Sequence, residues 1–331
     1  MKILAFGEVM MRMMPSDYKT LTQVNELEFL FTGTGVNILS GLYQMGEETY
    51  LLTRLPDNAV GKAASANIRK LGIDDHYLVY GGNHMGIYFL EKGLGNRASQ
   101  VTYLNRNESS YCQSQLSDYD LGCLDGKDAL HICGISLAMN KNLREVAFAL
   151  AKEAKKKGIQ VIFDCNFRPS LWNKGERQYV KDIYEEMLNL ADIVFAGYKD
   201  ATLLLEMTVD HNLPFEKQLE YLLQQMSQNY HIQVIFGTQR EDERLTGYMF
   251  KENQLIFSSQ YELTVYDRVG GGDGFAAGAI YAYLHDMDNQ QLINYATVSG
   301  VLAHTTYGDS PIVSREQILD FMINGKSDIK R

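Results

Sequence analysis

Apolar positions in this chain follow two patterns that alternate along most of its length. Short unbroken apolar runs predict buried strands: KILAFG (2–7), ETYLLTRLP (48–56), ALHICGI (129–135), IQVIFDCN (159–166), DIVFAG (192–197) and HIQVIFG (231–237). Stretches with a helical stripe lie between them. In GVNILSGLYQMG (35–46), Ile38, Leu39, Leu42 and Met45 share one face, and Gly46 is the stop signal. GKAASANIRKLG (61–72), NLREVAFALAKEAKKKG (142–158) and RQYVKDIYEEMLNLA (177–191) read as helices in the same way. The lysines ahead of Gly158 fall in a last helical turn, where the helix dipole favours cations at a solvated terminus. Strand and helix in alternation predict right-handed βαβ units on a mostly parallel sheet.

Two stretches break the rhythm. Residues 11–34 and 83–106 are rich in β-formers with Gly and Asn turns and show little helical period. They predict small antiparallel excursions, placed to cover a site at the carboxyl ends of the parallel strands.

Composition narrows the function classes. The 331 residues are 45% hydrophobic and 22% charged, which suits one large α/β domain or one with a small appendage. Lys and Arg number 31 against 41 Asp and Glu, a formal charge of −10, which argues against sequence-independent nucleic-acid binding. Cys112, Cys123, Cys133 and Cys165 show neither a C-x-x-C pair nor metal spacing and read as buried free thiols. That usage fits the reducing cytoplasm. MKILAFGEVM is too short an apolar run for a secretory signal, and no apolar run is long enough to span a membrane.

The densest chemical signal is DRVGGGDGFAAG (267–278). YELTVYD before it is strand-like and GFAAGAIYAYLHD after it is helical, so the glycines are expected in a strand-to-helix turn. A helix N-terminus presents unpaired N–H groups and partial positive charge, and glycines let that backbone approach a phosphate closely. Asp273 beside a phosphate suits one task, accepting the proton of a hydroxyl that attacks phosphorus. The plainer alternative is that Asp273 caps the helix. The lysine and Ser/Thr of a P-loop are absent. A loose dinucleotide fingerprint, Gly272-x-Gly274-x-x-Ala277, lacks the βαβ unit it needs, because NQQLINYATVSGVLAHTTYG (289–308) reads as helix.

Taken together, these features resemble the ribokinase-like, or PfkB, family of carbohydrate kinases over essentially the whole chain. Asp267-x-x-Gly270-Gly271-Gly272-Asp273 is similar to that family's C-terminal signature, usually Asp-Thr-x-Gly-Ala-Gly-Asp. The resemblance implies a Rossmann-type, mostly parallel sheet flanked by helices, with a small β-sheet lid. On that basis residues 1–10, 35–82 and 107–331 form the large domain, and 11–34 with 83–106 form the lid. It also implies Gly270, Gly271 and Gly272 as an anion hole and Asp273 as catalytic base. FTGTGVNILSGLYQMG is similar to the family's Gly-Gly-x-x-x-Asn-x-Ala region, which puts Gly33 and Asn37 at the substrate.

Within the family, FGEVMMRMMP, GIYFLE, TYLNRNESS, DCNFRPSLW and LAHTTYGD look most like the 2-keto-3-deoxygluconate kinases. That likeness implies Tyr88, Tyr103, Arg106 and Arg168 as contacts to a sugar acid, whose carboxylate suits the planar fork of Arg. It implies Asn166, Thr238 and Arg240, with Gly270 and Gly272, as nucleotide contacts. Many relatives carry Asn-x-x-Glu where AGYKDA (196–201) has Gly197 and Asp200, so Asp200 is the expected metal-side residue. The implied reaction is ATP- and Mg²⁺-dependent phosphorylation of 2-keto-3-deoxygluconate at its terminal hydroxyl; the resemblance allows a monovalent cation as well. A homodimer paired through the lid is expected from exposed strand edges. A neutral-sugar kinase such as fructokinase, or a non-catalytic sugar-acid binding protein, stands as the alternative.

Overall fold

The computed structural model describes residues 1–173 and 175–326 and is built around a ten-stranded sheet. Nine of its strands run in the order Gln254–Phe257, Arg244–Lys251, Val234–Glu241, Ile193–Phe195, Gln160–Asp164, Ala129–Cys133, Lys2–Phe6, Glu48–Leu55, Leu78–Tyr80, and the tenth, Tyr261–Glu262, pairs beside Gln254–Phe257 with Arg244–Lys251. Pairing is parallel from Leu78–Tyr80 across to Val234–Glu241 and antiparallel beyond. The period of two in the central strand assigns its side chains to two cores. Leu4 and Phe6 pack under the helices Lys141–Lys156, Arg177–Leu188 and Phe215–Tyr230. Ile3 and Ala5 pack on the opposite face, with Thr34–Gln44, Ala59–Lys70, Gly271–Leu284 and Asn289–Ala303. Ile38, Leu39, Leu42 and Met45 form the buried stripe of Thr34–Gln44, the face their spacing predicts.

A second, four-stranded sheet stands apart, in the order Glu28–Thr32, Met10–Met14, Gly86–Glu91, Gln100–Leu104. Met10–Met14 and Gly86–Glu91 pair in parallel at its centre, so it is not purely antiparallel as the turn-rich sequence predicts. Its outermost strand, Gln100–Leu104, is exposed along its whole length.

Several elements depart from expectation. Phe215–Tyr230 and Arg315–Asn324 are helices where no element is expected; in the first, Leu219, Leu222, Leu223 and Met226 give a buried stripe. YELTVYD pairs only at Tyr261–Glu262. Beyond it the backbone amides of Tyr266 and Asp267 bond the carbonyl of His304 at 2.8 and 3.3 Å, tying the segment to a helix end instead of a strand. Lys155 and Lys157 at the end of Lys141–Lys156 are not merely solvated, since they pair with Asp192 at 2.5 Å and Asp125 at 2.7 Å. All four cysteines are free and buried, and among the described residues no helix is long and apolar enough to cross a membrane.

One core residue makes stability pH-dependent. His131 lies fully buried in Ala129–Cys133, between Ala5 and Ile162 of the neighbouring strands, and neither ring nitrogen has a hydrogen-bond partner. Burial pushes its imidazole down to about 4. The unfolded chain then takes up a proton that the folded chain refuses, so this stability is full above about pH 6.5 and is lost as pH falls towards 4. The difference corresponds to about 3 kcal/mol. Denaturant unfolding of wild type and His131→Leu at pH 7 and pH 4.5 should show the wild type losing more stability on acidification. Equal losses would mean that His131 titrates normally.

Candidate active site

The candidate site lies at the carboxyl ends of the parallel strands, where Lys2–Phe6 is flanked on one side by Ala129–Cys133 and on the other by Glu48–Leu55. The chain departs in opposite directions there, which is where open α/β sheets leave a crevice. Glu8 follows the first strand, Asp164 ends Gln160–Asp164, and Gly197 and Asp200 follow Ile193–Phe195. The helix Gly271–Leu284 closes the site, with Gly270 as its N-cap.

The three glycines have separate reasons. Gly270 has φ of +90°, and a Cβ there would lie 1.9 Å from the carbonyl oxygen of Asp309. A Cβ on Gly271 would lie 2.0 Å from the His304 ring. A Cβ on Gly272 would meet nothing within 4 Å, so this glycine faces open space in front of the helix N-terminus. Gly271, Gly272 and Asp273 thus occupy the first helical turn and not a preceding loop. The backbone N–H groups there have no intrahelical partners and can receive an anion. His304 Nδ1 bonds the Gly300 carbonyl at 2.7 Å, and burial holds its imidazole neutral; the Arg240 and Arg268 guanidiniums add to that push.

Asp273 is held as a reactive group would be. Asn37 Nδ2 donates to Asp273 Oδ2 at 2.6 Å, across from the helix Thr34–Gln44. Ser310 Oγ in turn donates to Asn37 Oδ1 at 3.1 Å, which fixes the amide's orientation. Burial pushes the Asp273 carboxyl up to about 7, the Asn37 bond opposes this, the Asp164 charge adds to it, and Arg168 pulls it back. A side-chain cap is not its role, because Gly270 is the cap and Asp273 Oδ2 serves Asn37.

Around this pair the resemblance-derived residues fall into two groups. On the second-sheet side, a Cβ on Gly33 would lie 2.0 Å from the Glu8 carbonyl oxygen, so the chain crosses itself there in backbone contact. Arg106 Nε donates to Glu8 Oε2 at 2.8 Å, and its guanidinium lies 5.0 Å from the centre of the Tyr103 ring. Tyr103 faces Tyr88 across the strands, with ring centres 5.9 Å apart. The Tyr88 hydroxyl donates to Asp309 Oδ2 at 2.8 Å, which leaves its ring as the part it can offer a ligand. On the large-sheet side, Arg168 is exposed and lowers the carboxyls of Asp164, Asp200 and Asp273. Thr238 and Arg240 are exposed near the end of Val234–Glu241, and Arg240 Nε donates to the Asp242 carbonyl at 3.1 Å.

Sequence reading gave no role to Glu8, Arg12, Thr32, Asp164, Asp267 and Asp309, although each lies in a stretch that carries the resemblance. Asp164 was legible as the first residue of DCNFRPSLW. Asp267 opens the glycine signature, and the partners of all the others follow only from tertiary contact. Asp164 accepts from Asn166 N at 3.1 Å and Asn166 Nδ2 at 3.2 Å, while Asn166 Oδ1 is buried with no partner. Burial first, and the Asp200 charge second, push the Asp164 carboxyl up to about 7; burial also raises Asp200, which accepts from Gly197 N at 2.8 Å.

Crowded carboxylates of this kind hold the fold back. With its pKa raised, Asp164 favours folding at low pH, and that contribution is lost as pH rises through about 7. Asp164→Asn should therefore stabilise the ligand-free protein by about 2 kcal/mol at pH 8 and by much less at pH 5. Thermal unfolding at the two pH values tests this, and a destabilised variant at pH 8 would refute it.

Fold and site together define an α/β protein with a helix terminus whose amides can receive an anion and a half-buried carboxylate beside it, an arrangement suited to a phosphotransferase. The chain belongs to the pfkB family of carbohydrate kinases, whose profile, described as pfkB family carbohydrate kinase, matches residues 1–315. A solved structure from Enterococcus faecalis, assigned as a 2-keto-3-deoxygluconate kinase, is similar at 38% identity and a TM-score of 0.95, covering 100% of this chain and 98% of that one. The 2-dehydro-3-deoxygluconokinase of Thermotoga maritima is similar at 31% identity and a TM-score of 0.91, with 97% of each chain covered. The 2-dehydro-3-deoxygalactonokinase of Haloferax volcanii is 22% identical over 331 residues, 100% of this chain and 99% of its own. The protein is a carbohydrate kinase with a ribokinase-like fold.

Proposed function

We propose that this kinase transfers the γ-phosphoryl group of ATP to the terminal, C6 hydroxyl of 2-keto-3-deoxygluconate. The observation that carries the reading is Asp273, aimed by Asn37 on the first turn of a helix whose Gly272 opens onto free space. In the transfer, the hydroxyl oxygen bonds to the γ-phosphorus, the bond from that phosphorus to the bridging oxygen of ADP breaks, and the hydroxyl proton passes to Asp273. The amides of Gly270–Gly272 stabilise the charge that spreads over the transferred oxygens.

Arg106, Arg168, Tyr88, Tyr103, Gly33 and Asn37 would surround the sugar acid. With Nε engaged by Glu8, Arg106 keeps its two terminal nitrogens for a bidentate carboxylate. The similar kinases named above act, by their names, on acids of this kind. Thr238, Arg240 and Asn166 would line the nucleotide side. Mg²⁺ fits the acid-rich edge: Asn166 Oδ1 is buried and unpartnered, and the Asp164 and Asp200 carboxyls repel each other until a cation arrives. Among the described residues no three His, Cys, Asp or Glu side chains converge on one metal position, which suits an ion held largely by water and phosphate. When bound, it neutralises the phosphate charge.

Glu8 favours a second reading. Its carboxylate cancels part of the Arg106 charge, an arrangement that a neutral-sugar kinase could also use. Coupled ADP release with ATP and Mg²⁺, run on 2-keto-3-deoxygluconate beside fructose, ribose and gluconate, separates the two. A preference for the keto-deoxy acid supports the proposal; a preference for fructose or ribose transfers it to the second reading.

The second sheet would act as a lid over the sugar, and Phe29, Val101, Tyr103 and Leu104 are exposed on it. A second copy would cover them, so light scattering should report a dimer, and a monomer would discard the pairing.

A further inference from the structure

Arg12 is fully shielded from solvent, and among the described residues no other cationic side chain is. Taking a guanidinium out of water costs several kcal/mol unless opposite charge and hydrogen bonds replace the lost solvation. Here two loops supply them. Arg12 Nη2 donates to Asp267 Oδ2 at 2.9 Å, and Nη1 donates to Asp309 Oδ1. Burial alone would raise the Asp267 carboxyl, but Arg12 and Lys92, the latter 3.2 Å away, hold it below the ordinary carboxylate range.

These two loops shape the anion-binding helix terminus. Asp267 stands three residues before Gly270, and the backbone of Asp309 is what a Cβ on Gly270 would strike. The connection continues to Asp273. Thr32 Oγ1 donates to Asp309 Oδ2 at 2.8 Å, and Ser310 Oγ donates to Asn37 Oδ1 at 3.1 Å. Asn37 Nδ2 then donates to Asp273 Oδ2 at 2.6 Å. With its carbonyl oxygen engaged, the Asn37 amide cannot flip without turning that oxygen towards the Asp273 carboxylate. Arg12 belongs to Met10–Met14 and Lys92 follows Gly86–Glu91, both strands of the second sheet.

We propose that Arg12 is a positioning residue for phosphoryl transfer. It locks loops 267–270 and 309–310 together, so that the anion-hole amides and Asp273 keep their aim. The seat of the second sheet and the geometry of the base are then set by the same two carboxylates. This rests on the reading of Asp273 as the base.

The test is a set of variants in the full-length protein. Readouts are turnover, the KM for ATP and for the sugar, the pH profile, ADP binding by calorimetry and the thermal midpoint. Arg12→Lys keeps the charge but loses the fork that spans two carboxylates. Its turnover should fall about 100-fold while ADP affinity stays within about threefold, since small misplacements of reacting groups cost that much. Thr32→Val with Ser310→Ala cuts the connection to Asn37 and leaves every charge paired, which guards against Arg12→Lys failing to fold. It should lower turnover about 10-fold, shift the acid limb of the pH profile and barely move the thermal midpoint. Unchanged turnover and an unmoved acid limb in this double variant would overturn the proposal and leave Arg12 a purely structural ion.

Adding Arg12→Lys to Asp273→Asn separates the two readings. Little further loss is expected if Arg12 acts through Asp273, whereas a full additional loss would overturn that route. If Asp273→Asn alone keeps wild-type turnover, the base assignment has failed whatever Arg12 does.

Discussion

Asp273→Asn should reduce turnover about 1,000-fold or more while ADP binding stays within about threefold. A positioned base contributes typically 10²–10⁴, and on the proposed reading the substitution also removes the charge that would orient the attacking hydroxyl. The affected step is chemistry, because the backbone amides that would hold phosphate belong to Gly270–Gly272 and remain in place. The variant keeps the Asn37 contact at best through a neutral amide oxygen, which weakens a 2.6 Å charge-assisted bond. The wild-type profile should carry an acid limb near pH 7, since burial pushes the carboxyl up to about 7 and only the ionised form accepts a proton. Activity is present above that value and falls below it. Asp164 titrates in the same range and is coupled to Asp273, so the limb belongs to the pair. Steady-state rates from pH 5.5 to 9 for both proteins decide the matter, and wild-type turnover in the variant would remove Asp273 from the chemistry.

Arg106→Met should lower kcat/KM for the sugar acid about 100- to 1,000-fold and change a neutral sugar much less. Losing a bidentate, charge-assisted contact from a water-poor site costs on the order of 2–4 kcal/mol. Part of the damage would come from Glu8, which loses the guanidinium that lowers its carboxyl against the upward push of burial. Glu8→Gln in the same background relieves that unpaired charge. The double variant should regain thermal stability but not acid preference. An unchanged ratio of acid to neutral kcat/KM would show that Arg106 is a structural partner of Glu8 and that recognition of the carboxylate lies elsewhere.

These two residues also show what kind of information each level carries. Asp273 was legible because its neighbours are unusual in sequence: three glycines ahead of an alanine-rich run make sense only where backbone must be bare. The strand order could not be read, yet alternation of apolar runs and helical stripes sufficed for a mostly parallel sheet. Period-two and period-3.6 patterns are local consequences of which face is buried. The helix Phe215–Tyr230 was missed although its stripe is present, and the strand expected at YELTVYD dissolves after Glu262. In that segment Asp267 is drawn inward by Arg12, a residue more than 250 positions away in sequence.

By itself, then, the sequence determined the sheet class, the buried stripe of Thr34–Gln44 and the bare glycine backbone ahead of Asp273. Those properties depend on side-chain size, backbone freedom and periodicity over a few residues. Tertiary structure alone decided that Asn37 aims Asp273, that Glu8 holds Arg106, and that a buried arginine joins Asp267 to Asp309. Charge pairing and hydrogen-bond direction depend on which distant groups meet away from water, and no local pattern encodes that meeting.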